Sequence, residues 1–154
     1  MERIVYTLRF NGAATRAGVD GSVLMALATA CGWTTCTRID VDGLTAIHRA
    51  EVGQEATLES EVAFTGESVF QEAGTITFGS GGHRLRFSTV GSGFLGRATA
   101  DGSRHGAVIR RVEGGEGQFA EATGVMASVL ILTDSGELMD HVVGLIFMHE
   151  RKDP

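Results

Sequence analysis

Five histidines and a scatter of carboxylates offer acid–base or metal chemistry, and their spacing decides between the two. His48, His83, His105, His141 and His149 include no pair at i, i+2, which would share a strand face. None falls at i, i+4, the spacing of a zinc-binding helix. No metal site is expected. Two glycine segments suggest phosphate binding. Gly91-Ser92-Gly93-Phe94-Leu95-Gly96 matches G-x-G-x-x-G, but a dinucleotide turn must open a helix whose N-terminus receives the pyrophosphate. Here Asp101-Gly102 breaks the chain within a few residues. Neither this segment nor Gly115-Glu116-Gly117-Gln118-Phe119-Ala120 carries a lysine. Both read as hairpin connections, and no cofactor is expected.

What remains is the set of ionisable side chains that strand alternation turns toward an apolar face, because a buried charge must be satisfied or used. Over residues 45–52 the apolar set is Ala46, His48, Ala50 and Val52, which directs His48 inward. Over residues 68–72, Phe70 carries Ser68 and Glu72 to its own side, so Glu72 becomes an inward carboxylate. Residues 105–113 have two mixed faces: His105, Ala107, Ile109 and Arg111 against Gly106, Val108, Arg110 and Val112. At least one charge there is expected inside. On the last strand either Asp140 or His141 lies on a covered face. His48, Glu72 and His105 are the expected proton-transfer or polarising groups, with Tyr6, Trp33 and Phe87 shaping a pocket. Each also has a plainer role open to it, as a hydrogen-bonded core residue or as aromatic packing.

Those side chains must be held by strands. The chain has 22 glycines and a single proline, at its last position, so glycine does the turning. Ile4, Tyr6, Leu8 and Phe10 alternate with Arg3, Thr7 and Arg9, the pattern of a half-buried strand. Further strands are expected over residues 45–52, 55–64, 68–72, 75–78, 83–90, 105–113, 125–133 and 138–150. Residues 23–31 are read as a strand extended through 33–39, although Ala26, Ala28 and Ala30 also suit a helix. A helical turn is expected at 119–123. Strands every 8–12 residues, with no helical crossover, give one all-β domain over residues 1–154. Its expected form is an antiparallel up-and-down β-barrel of about eight strands, or a sandwich.

Composition narrows the partners. A net charge of −6 disfavours nucleic acid, whose binding needs clustered Lys and Arg. The longest apolar stretches, 23–31 and 142–148, fall short of the ~20 residues of a membrane-spanning helix, and the N-terminus lacks a signal-type apolar segment. Cys31 and Cys36 stand five apart and would face opposite ways on a strand, so they are read as free, buried thiols. The expectation is a soluble cytoplasmic protein. Both faces of the last strand are apolar, which opens the possibility of a homo-oligomer.

The segment 104–148 holds Gly114-Gly115-Glu116-Gly117-Gln118-Phe119-Ala120-Glu121-Ala122-Thr123-Gly124. It resembles the GG-x-G-x-F-x-x-A-x-G hairpin signature of allene oxide cyclase-like and dirigent-like small barrels. The resemblance covers the last third of the chain. It implies a calycin-like or allene oxide cyclase-like barrel in which Phe119 and Ala122 plug one end and the next two strands close the wall. Members of such groups include cyclases, isomerases and proteins that only hold an apolar ligand. The expected function is a cofactor-independent cyclase or isomerase acting on a small apolar metabolite inside the barrel. A non-catalytic lipocalin-like carrier of a hydrophobic ligand is the alternative.

Overall fold

The structure is a computed structural model that describes residues 1–149. Eleven strands follow in order: β1 (Glu2–Ala17), β2 (Val23–Ala30), β3 (Trp33–Asp40), β4 (Gly43–Ala50), β5 (Ala56–Phe64), β6 (Val69–Phe78), β7 (His83–Thr89), β8 (Gly93–Leu95), β9 (Arg104–Glu116), β10 (Thr123–Leu132) and β11 (Glu137–Met148). A single 3-10 turn, Gly117–Phe119, joins β9 to β10. The expected end of the last strand, at residue 150, lies outside the described residues.

Eight of these strands close a barrel by antiparallel pairing, in the circuit β1–β2–β5–β6–β7–β9–β10–β11 and back to β1. The expected all-β up-and-down barrel is therefore what the chain forms. Two insertions interrupt the circuit. The β3–β4 hairpin leaves between β2 and β5, and the short β8 lies across the ends of β6 and β9. No described helix is long and apolar enough to cross a membrane.

Alternation fixes the inside. On β1 the inward set includes Phe10, which has no exposed surface, and on β2 it is Leu24, Ala26, Ala28 and Ala30. Residues 23–30 are thus strand, and their small alanines share the larger core cluster with Phe10 and Leu58. The expected continuation into 33–39 fails at Cys31-Gly32, where the chain leaves the wall. The expected strands 68–72 and 75–78 are one strand, because Gly74 does not break it. A Cβ at Gly74 would collide with the Glu59 carbonyl of β5, so glycine permits the close approach of two backbones at a bend. Gly144 has a similar use. Its register partner Tyr6 lays its ring where a side chain would stand.

The interior divides into two apolar clusters. The larger, with Phe10, Ile76, Leu85, Phe87, Phe119 and Met126 among its members, fills one end. Phe119 and Ala122 are buried in it, so the turn after β9 does plug the barrel. The smaller, Phe70, Leu95, Val108 and Leu130, lies toward the end where the β5–β6 and β10–β11 turns meet. Outside, Val5, Ile109, Val125, Val129 and Val143 stay exposed on β1, β9, β10 and β11. Of these, Val143 lies on the last strand, for which the sequence suggested a second subunit.

Candidate functional site

Three ionisable side chains from three strands meet between the two clusters. Glu72 comes from β6, Arg110 from β9 and Asp140 from β11, and each sits where alternation turns it inward. None is more than 5% exposed. Arg110 donates from Nε to Glu72 Oε2 at 2.8 Å. Its Nη2 lies 2.8 Å from the same oxygen and 2.9 Å from Asp140 Oδ2. Ser128 on β10 donates its hydroxyl to Asp140 Oδ1. The Phe87 ring lies 5.0 Å from the guanidinium and supports it from the plugged side. The Thr89 hydroxyl accepts from the Glu72 amide and donates to the Glu72 carbonyl, which fixes the backbone that carries the carboxylate.

Burial alone pulls the Arg110 pKa down, but the attraction of Glu72 and Asp140, with their hydrogen bonds, outweighs it and holds the guanidinium above its ordinary range. The cation is locked in. Its Nη1 is buried without an acceptor.

These three groups form the polar end of a cavity of about 40 Å³, measured as the space open to the centre of a water molecule. The rest of its lining is apolar: Leu24, Leu58, Phe70, Leu95 and Leu130 within, with Phe64, Leu132 and Leu138 toward the barrel end.

Of the residues expected from sequence, Glu72 is at this centre. Phe87 touches it from below but does not line the cavity. Tyr6 is interior yet belongs to the filled end, where its hydroxyl donates to Met126 Sδ at 3.0 Å. Desolvation raises the Tyr6 pKa well above the usual 10.0; Arg110 partly offsets this and Asp140 adds to it. Stability should therefore be intact below pH 10. Above that, it should fall by up to about 1.4 kcal/mol per pH unit as the unfolded phenol ionises and the folded one does not. Tyr6 is the only tyrosine, so phenolate absorbance followed against pH reads it directly. The expected result is no phenolate until the protein unfolds, and a transition near pH 10 in the folded protein would contradict it.

His48, His105 and Trp33 are not inside. His48 and Trp33 stand on the β3–β4 hairpin, where both faces are open to solvent. Their rings stack at 5.7 Å, with the Arg9 guanidinium 5.2 Å from the Trp33 ring. The alternation on β4 is real, but no second layer covers either face, so the apolar set that was to bury His48 is exposed. Cys36 is exposed on the same hairpin, against the expected burial, and both thiols are free. His105 lies on the outer face of β9, with Nε2 3.1 Å from Ser103 Oγ. That hydroxyl also donates to Asp101, at 2.7 Å. A nucleophile needs the order Ser–His–Asp, and here the carboxylate holds the serine itself. This is turn geometry.

Arg110 and Asp140 complete the centre. The mixed faces of β9 announced an inward charge without saying which, and barrel closure buries the face of Val108, Arg110 and Val112. Asp140 was half of an open pair, and its partner in that choice, His141, is exposed. Compared with protein families, with curated proteins and with solved structures, the chain matches none.

Proposed function

We propose that the barrel interior works as a cofactor-independent isomerase or cyclase on a small, largely apolar metabolite, with Glu72 and Asp140 moving the proton and Arg110 polarising the substrate. The observation that carries this reading is the convergence of Arg110, Glu72 and Asp140 at the polar end of an otherwise apolar cavity. Such a trio is not explained by stability. Buried ion pairs often do no better than apolar residues of similar volume, so a chain selected for stability alone has no need of them. In the reaction a carboxylate takes a proton from carbon, and the negative charge that develops on the substrate oxygen is met by the Arg110 guanidinium. The proton then returns at a second carbon. In a cyclisation the carbanion instead attacks an electrophilic double-bonded carbon of the same substrate, and the proton goes to the atom that takes the electron pair of the opened π bond. No oxidant or reductant is involved. His48 and His105 lie outside and have no part in it.

The test is solvent deuterium incorporation next to the carbonyl of a small ketone, 2-hexanone, followed by NMR. The wild type should accelerate exchange over buffer, and Glu72→Gln or Asp140→Asn should each reduce that acceleration by about 10²-fold or more. His48→Ala and His105→Ala should leave it unchanged. Binding without exchange would favour the carrier.

A further inference from the structure

We infer that the ligand of this cavity is neutral and mostly apolar, with a single acceptor oxygen, in its simplest form a ketone or aldehyde, and that it enters oxygen-first toward Arg110. The inference rests on the barrel interior being the working site. Three observations carry it. The first is the donor inventory of Arg110. Nε and Nη2 are committed to Glu72 and Asp140, whereas Nη1 is buried with no acceptor on a residue only 1% exposed. Buried donors are almost always paired, so an acceptor delivered by a ligand answers this one.

The second is charge. One guanidinium already faces two carboxyl groups, so a carboxylate or phosphate ligand would leave water and find no unclaimed positive charge. A carbonyl oxygen needs only the donor. The remaining lining is apolar, so a second polar group on the ligand head would go unsatisfied.

The third is size. At about 40 Å³ the cavity is far below the ~300–1,000 Å³ of common ligand pockets, so it receives only the head of a ligand, a carbonyl and its neighbours. The rest of the ligand must run outward between Phe64, Leu132 and Leu138, all only partly buried.

The experiment titrates the whole protein, labelled with ¹⁵N in its arginines, with 2-hexanone, hexanoate and n-hexane. Guanidinium NMR signals and affinity are read together. 2-Hexanone should shift the Arg110 signal and bind at least about tenfold more tightly than hexanoate or n-hexane. Leu138→Trp, which narrows the outer end of the cavity without touching the trio, should abolish that shift. Equal binding of n-hexane, tighter binding of hexanoate, or no response to the ketone overturns the inference. The two proposals fail separately. A ketone that binds without exchanging deuterium removes catalysis and leaves this inference standing, whereas an anion that binds and is turned over does the reverse.

Discussion

Arg110→Met should lower the unfolding free energy by about 3–5 kcal/mol, with a fall in Tm of about 10 °C for a chain of this size. The volume change is small, so the loss is electrostatic. Glu72 and Asp140 would remain buried, and the cation that receives both would be gone. Two carboxyl groups would stand in an apolar interior, one of them held only by the Ser128 hydroxyl, with no cation to offset their desolvation. Urea unfolding of Arg110→Met beside Arg110→Lys separates charge from packing. The lysine keeps the charge without the planar fork and should recover part of the deficit. A lysine variant as unstable as the methionine one would mean that packing against Phe87, and not charge, is what Arg110 supplies.

Removing the whole network should act in the opposite direction. A variant with Arg110→Met, Glu72→Leu, Asp140→Leu and Ser128→Ala leaves no orphaned partner and should be at least as stable as the wild type, since apolar replacement of a complete buried network is often neutral or stabilising. It should neither bind 2-hexanone through an arginine nor exchange its protons. Stability retained while binding and exchange are lost is the signature of groups kept for chemistry.

Much of the barrel could be read from period-two alternation and glycine spacing, because both follow from the backbone. Ile4, Tyr6, Leu8 and Phe10 face inward as their spacing requires, and the glycine segment after β9 turns the chain as its composition requires. Burial was harder to read. His48 sits on a strand with a regular apolar set, yet alternation reports only that a segment is extended. Whether a second layer covers it depends on residues far away in sequence, and around β3 and β4 there is none. The same limit hid Arg110. A mixed strand shows two faces, and only barrel closure decides which of them becomes interior. Glu72 was legible because Phe70, two residues before it, marks the face of β6 on which it lies, and closure buries that face.

Phe119→Ala should cost about 3–5 kcal/mol, whereas Trp33→Ala, which removes a larger ring, should cost less than about 1 kcal/mol. Phe119 is 2% exposed and its ring meets Phe78 at 5.1 Å inside the larger cluster. Its loss opens a cavity at the plugged end, where closed strands on every side prevent collapse. The turn that carries it, Gly117–Phe119, is held to the start of the neighbouring β7 by the Gln118 backbone amide donating to His83 Nδ1 at 3.1 Å, so the backbone has little freedom to fill the space. Trp33 lies at the root of an exposed hairpin, where its partners are His48 and Arg9 and its loss exposes little that was buried. Thermal unfolding of the two single variants gives the comparison directly. A Trp33→Ala deficit as large as that of Phe119→Ala would mean that the hairpin is covered in solution, and that the face carrying His48 is an interface.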